Sequence, residues 1–271
     1  MNKNRKIHTA VIQMNSGENK EKNLEAALKL LHKAIDRGAQ FVLLPETFNY
    51  RGESKNPIEK AENIPGPSIR PLMEIAKKSK IAILAGSIYE KTSHPKKVYN
   101  SSVLIDEKGG IKALYRKIHL FDVSLRDKKI LESKIFIKGN RPILSSMFGV
   151  KIGLSICYDL RFPELYRYYA AGGAKLLCVP SSFTFMTGKA HWETLLRARA
   201  IENQCFVIAP NQCGVGQGGV MTYGNSMVVD PWGKIMARAS ADHDEIIYAD
   251  LDFEKLAETR KSLPVLKHRR L

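Results

Sequence analysis

Short apolar runs of strand length alternate with amphipathic stretches of helical period along the whole chain, and few folds accommodate that alternation. Residues 7–13 alternate loosely, as a half-buried strand does. Residues 41–44 form an apolar run of the buried-strand kind. Between them Leu24, Ala27, Leu28, Leu31 and Ile35 recur at helical spacing over 23–37, and Gly38 supplies the stop. The same rhythm predicts strands over 81–88, 98–105 and 111–115, and a helix over 68–78 behind the breaker Pro65-Gly66-Pro67. It continues with strands over 150–156, 175–179, 205–209, 226–229, 235–238 and 246–251, and helices over 163–171, 189–203 and 253–261. Glu107-Lys108-Gly109-Gly110 and Asp230-Pro231-Trp232-Gly233 read as hairpin turns. No low-complexity linker divides the chain. Residues 1–271 therefore read as a single α/β domain of helix-covered sheets, with a loose basic tail from about residue 262. The two halves share a rhythm, which points to a pseudo-symmetric two-sheet core.

Composition removes several alternatives. Hydrophobic residues make up 44% and charged residues 26%, so the body has the apolar content of a packed domain. No apolar run approaches the ~20 residues that span a bilayer. The basic start, residues 1–6, is followed by His8, Thr9, Gln13 and Asn15 rather than by a signal-peptide core, and the chain reads as cytoplasmic. Cys157, Cys178, Cys205 and Cys213 never form a CxxC pair, so neither a disulfide framework nor a metal site is predicted. The net charge of +16 leaves room for an electrostatic partner: nucleic acid, an anionic membrane surface or an acidic substrate. No helix-turn-helix, zinc or aromatic-basic RNA pattern accompanies it. Doublets such as Lys77-Lys78 and Lys96-Lys97 read as solvated faces, so neither nucleic acid nor membrane is predicted as a partner.

Three residues that can carry chemistry stand in equivalent places. Glu46, Lys117 and Cys157 each follow the end of a predicted strand, where ligands bind in open α/β sheets. A thiol needs a base, a desolvated carboxylate can serve as one, and an ammonium can stabilise an oxyanion. The trio suits transfer of an acyl group from an amide or nitrile to water. From the residues alone, a cysteine–histidine hydrolase with His119 or His191 as base stays open.

Leu43-Leu44-Pro45-Glu46, Tyr115-Arg116-Lys117-Ile118-His119-Leu120 and Cys157-Tyr158-Asp159-Leu160-Arg161-Phe162-Pro163-Glu164 occur in that order. Together they resemble the nitrilase superfamily, the carbon–nitrogen hydrolases, over nearly the whole chain. The resemblance implies a four-layer α-β-β-α sandwich, no cofactor, and a homodimer or larger assembly. It implies Glu46 as general base, Lys117 as oxyanion-stabilising lysine, Cys157 as nucleophile and Glu132 as a fourth catalytic residue. The backbone N–H of Tyr158 becomes a second oxyanion donor. Gly214 to Gly219 is Gly-rich but opens no predicted helix, and reads as a flexible loop.

The stretch from Thr187 to Gln204 and the run Tyr223-Gly224-Asn225-Ser226 resemble the omega-amidase and deaminated-glutathione-amidase branch, with Asn225 where many relatives have His. That branch implies a small anionic amide as substrate. Arg161 is the candidate for its carboxylate, because a guanidinium pairs with carboxylate in two-pronged fashion; an ion pair with Asp159 or Glu164 is its structural alternative. Phe183 is predicted to line the pocket; His191 is a candidate to contact substrate, with a structural histidine on its helix as the alternative. Arg197, Arg199 and Glu202 read as a structural ion-pair network. An N-carbamoyl hydrolase or a nitrilase of the same superfamily, or a basic nucleic-acid-binding protein, are the alternative functions.

Overall fold

The computed structural model describes residues 6–52, 57–125, 128–216 and 219–270. The first half supplies β1 (Lys6–Gln13), α1 (Lys20–Asp36), β2 (Phe41–Leu43), α2 (Pro57–Lys60), α3 (Arg70–Ser79), β3 (Ala82–Glu90), β4 (Tyr99–Ile105) and β5 (Ile111–Arg116). A hairpin follows, β6 (Asp122–Leu125) and β7 (Lys128–Leu131). The second half supplies β8 (Ile143–Met147), β9 (Val150–Leu154), α4 (Pro163–Ala171), β10 (Ala174–Cys178), α5 (Phe185–Asn203), β11 (Phe206–Ala209), β12 (Met227–Val229) and β13 (Ile235–Arg238). Then come β14 (Glu245–Asp252), α6 (Phe253–Ser262) and α7 (Val265–His268).

The strands form two six-stranded sheets, ordered β14-β1-β2-β3-β4-β5 and β13-β12-β11-β10-β9-β8. In each, a parallel trio (β1, β2, β3 and β11, β10, β9) is flanked by antiparallel neighbours. Strand alternation gives the first sheet two apolar faces. Ala10, Ile12, Val42, Ile83 and Val103 pack with Ala27 and Leu31 of α1 and Leu72 and Ala76 of α3. Val11, Leu43 and Leu84 face the other way and share a cluster with Ile152, Leu154, Leu176 and Val207 of the second sheet. That second sheet is covered in turn by α4 and α5, through Tyr166, Tyr169, Trp192 and Leu196. The layers run α-β-β-α, as the resemblance implied.

Local sequence explains most element ends. Asn19 caps α1, its side chain accepting from the Lys22 N–H at 2.9 Å, so the helix starts at Lys20, ahead of the predicted start at 23. α5 starts four residues earlier than predicted. Gly188 discourages a helical reading, but a Cβ there would fall on the Tyr223 ring, so close packing accounts for the glycine.

The sequence pattern does not predict α2, the β6–β7 hairpin, β8 or α7. The β6–β7 hairpin lies in a charge-dense stretch whose apolar–polar alternation spans only residues 121–125, and Arg126 and Asp127 lie outside the described residues. β8 is a sheet edge whose Ser145 and Ser146 mask its pattern. α7 (Val265–His268) is a single helical turn within the basic tail, with no buried residue.

Candidate active site

Glu46, Lys117 and Cys157 meet at one end of the sandwich because β2, β5 and β9 all deliver their last residues there. Gly86 on β3 lets the Glu46 segment approach: a Cβ would strike the Pro45 carbonyl oxygen. Thr47 sits at φ 54°, an unusual place for a β-branched residue, and its N–H is held by Ser87 Oγ at 2.9 Å. The Glu46 carbonyl accepts from Gln212 Nε2 at 2.9 Å. The carboxylate is thus clamped before any ligand arrives.

Lys117 has no exposed side-chain surface and bridges two carboxylates. Its Nζ donates to Glu46 Oε1 at 3.0 Å and to Glu132 Oε1 at 2.9 Å. Glu46 Oε1 also accepts from Asn100 Nδ2 at 2.8 Å, and Oε2 accepts from the Ser182 N–H at 2.7 Å. Glu132 Oε2 accepts from the Phe121 N–H at 2.7 Å, which ties the hairpin to the site. Burial works against the Lys117 charge, but Glu132 and Glu46 outweigh it and hold its pKa well above the ordinary value. Burial raises the Glu132 carboxyl, with Lys117 pulling the other way.

Cys157 opens a 3₁₀ turn, Cys157–Arg161, at φ 49°. Burial and the negative charge of Glu46 push its thiol well above the ordinary range, against the pull of Lys117. The resting thiol is protonated. Asp159, fully buried, organises the turn: its carboxylate accepts from the Ile156 N–H at 2.8 Å, the His119 N–H at 3.0 Å and Tyr115 OH at 2.6 Å.

Glu46, Glu132, Cys157, Tyr158, Arg161 and Phe183 all line one cavity of about 340 Å³. Arg161 lies over the Tyr158 and Phe183 rings, 5.8 and 5.2 Å from their centroids. It is not ion-paired with Asp159 or Glu164; it stands 3.2 Å from His191 Nδ1 instead. His191 touches the cavity only through Arg161, and His119 is turned away, its Nδ1 2.7 Å from Asp159 and its ring stacked on Phe162 at 3.7 Å. Arg199 pairs with Glu202 at 3.0 Å, and Arg197 with Glu193 at 3.5 Å. Asn225 occupies a left-handed position at φ 54°, a conformation Asn tolerates, and Arg238 Nε donates to its side chain at 2.9 Å. The Gly-rich stretch pairs across Val215 and Met221 at the cavity mouth; Gln217 and Gly218 lie outside the described residues. Sequence reasoning missed Asn100 and Ser182. The run of small polar residues inside β4 was the available signal for the first.

Two helix-covered sheets with a thiol, two carboxylates and an ammonium at their strand ends mark the chain as a hydrolase built on an α-β-β-α sandwich. Residues 8–261 match the carbon-nitrogen hydrolase family, and the chain belongs to it. It is 40% identical over 264 residues to a deaminated glutathione amidase of Synechocystis sp., covering 96% of this chain and 97% of that one. It is 39% identical over 262 residues to an omega-amidase of Mus musculus, covering 96% and 94%. The crystal structure of the Caenorhabditis elegans NitFhit protein is similar with a TM-score of 0.92 at 39% identity, covering 98% of this chain and 65% of that longer chain. Among the described residues no helix is long and apolar enough to cross a membrane.

Proposed function

We propose that the protein is an amidase that hydrolyses the C–N bond of a small carboxylate-bearing amide through a thioester on Cys157. The observation that carries this is Lys117 bridging Glu46 and Glu132 beside the Cys157 thiol at one cavity. Both lone pairs of Glu46 Oε1 are taken, by Asn100 and Lys117, whereas Oε2 has only the Ser182 N–H. Oε2 is therefore the base that takes the thiol proton as sulfur attacks the amide carbon. The ammonium of Lys117 has three donors and spends two on the glutamates, which leaves one for the oxyanion, with the Tyr158 N–H as the other donor. Collapse breaks the C–N bond, and the departing nitrogen takes the proton from Glu46. Water then loses a proton to Glu46, attacks the thioester and frees the acid, and the proton returns to sulfur. Glu132 fixes Lys117 throughout.

Arg161 supports the choice of an anionic substrate, since its guanidinium reaches the cavity wall with no described carboxylate paired to it. The similarity to a deaminated glutathione amidase and an omega-amidase favours an amide of a keto acid or deaminated glutathione itself. This reading needs no cofactor, and takes the enzyme as a cytoplasmic homodimer or larger homo-oligomer of one domain. Ammonia or amine release across keto-acid amides, deaminated glutathione and N-carbamoyl compounds tests it. Cys157→Ala should abolish release with the fold intact; a fully active Cys157→Ala protein overturns the reading.

A further inference from the structure

Arg51 is a cation on the cavity wall that the catalytic scheme leaves unused. It is held in place by several contacts: Nε donates to the Ser16 carbonyl at 2.9 Å, Nη1 to Thr222 Oγ1 at 2.6 Å, and Nη2 to the Cys213 carbonyl at 3.1 Å and to Asn15 Oδ1. All four acceptors are neutral, and no described carboxylate is ion-paired with Arg51. Asp244 acts on it only at longer range. The buried cations Arg199 and Lys117 do have such partners, Glu202 for the first and Glu46 with Glu132 for the second; Arg260, held like Arg51 by neutral acceptors, lies away from the cavity. Burial pulls the Arg51 guanidinium down to about 10, still fully charged at neutral pH.

The charge around the cavity is correspondingly unbalanced. Glu46 and Glu132 supply the negative charge, and Lys117 with the wall residues Arg51, Arg161 and Lys129 supplies the positive. The excess among the described residues is formally two. Arg51 and Arg161 are anchored by different elements: the first by the segments around Ser16, Cys213 and Thr222, the second by the 3₁₀ turn and α5. They are two guanidiniums on the wall of one cavity, each fixed by a different part of the fold.

We infer that Arg51 forms a second carboxylate subsite, so that the preferred substrate is an amide with a carboxylate on each side of the scissile bond, one held by Arg51 and the other by Arg161. This rests on the amidase reading of the same cavity. Rigid placement of Arg51 by neutral acceptors lets it meet an anion without first breaking an ion pair, which is how a preorganised site gains selectivity.

Calorimetric binding to Cys157→Ser protein tests the inference with three probes. N-glutarylglycine carries both carboxylates, N-glutarylglycinamide lacks the amine-side charge, and N-butyrylglycine lacks the acyl-side charge. N-glutarylglycine should bind about tenfold more tightly than either singly charged probe. Adding Arg51→Gln should erase its advantage over one of them and keep its advantage over the other; adding Arg161→Gln should do the converse. If Arg51→Gln fails to fold, Arg51→Lys serves, with a partial loss confined to the same carboxylate. The inference is overturned if the Arg51 variants weaken all three probes alike or change none. Hydrolysis is read separately on the unsubstituted enzyme. Charge-dependent binding with no turnover of any amide would sink the amidase reading and leave the subsite standing.

Discussion

The Asp159 carboxylate accepts the backbone N–H of Ile156 at 2.8 Å, and so fixes the entry to the turn in which Cys157 adopts φ 49°. A left-handed conformation costs a non-glycine residue roughly 1–2 kcal/mol. It persists here because Asp159 satisfies the chain on one side and the Pro180 carbonyl accepts the Cys157 N–H at 3.0 Å on the other. His119 and Tyr115 donate to the remaining positions of the carboxylate. Asp159→Asn replaces one acceptor oxygen with a donor group facing donors. It should cost about 3 kcal/mol of stability and, by displacing the sulfur, about 10²-fold in kcat. Denaturant unfolding and steady-state kinetics check the pair. A variant with normal kcat would show that the turn holds Cys157 without its help.

Glu46 and the thiol make a second expectation. Burial keeps Cys157 protonated at rest, so alkylation by a neutral reagent such as iodoacetamide depends on proton removal within the site. Native protein should take up one equivalent, at Cys157. Cys178, Cys205 and Cys213 are buried, with Cys205 and Cys213 pushed up to about 12, and should stay unmodified. Glu46→Gln should slow the labelling at least ~10²-fold, the lower range of general-base effects. Mass spectrometry of the labelled chain over time measures both numbers.

Helix-covered sheets, and Glu46, Lys117 and Cys157 just past strand ends, were legible because each depends on local pattern: strand-length apolar runs and helical periodicity; the four-layer order and the roles of the three residues came only with the resemblance of their motifs. What was not legible depends on pairing between distant segments. Glu132, to which only the resemblance pointed, reaches Lys117 because the β6–β7 hairpin folds back, and the alternation there is confined to residues 121–125. Asn100 faces Glu46 across 54 positions of sequence, and the Ser182 N–H across 136. Arg51 lies in a stretch whose conformation no periodicity predicts, and its partners come from three other loops. His191 was a candidate to contact substrate; the structure places it behind Arg161.

Lys117 should leave a signature in the pH dependence of stability. Its folded-state pKa lies above the ordinary 10.5, because Glu132 and Glu46 favour the ammonium more than burial disfavours it. The fold therefore binds this proton more tightly than the unfolded chain does. The stability it contributes is complete below pH 10.5 and is lost as pH rises through the folded value. Lys117→Met leaves two buried carboxylates without their counter-charge, a loss of about 3–5 kcal/mol at neutral pH. The gap between the two proteins should narrow only above pH 10.5, as wild type gives up its proton. Urea unfolding of both, from neutral to alkaline pH, traces that gap; one that narrows well below this range would contradict the electrostatic account.

The net charge of +16 enters last, through the same cavity. A positive field that includes Arg51, Arg161 and Lys129 at the wall steers anions toward Cys157 and raises the association rate. Salt shortens the reach of such a field from about 30 Å at 0.01 M to about 3 Å at 1 M. For an amide with two carboxylates, kcat/KM should fall several-fold, on the order of 10-fold, across that range. A neutral amide of the same size feels no steering and should change little. The comparison is made at fixed pH with both substrates in the same salts, so that effects of salt on the fold cancel. Equal responses from the two substrates would leave the surface charge without a part in substrate capture.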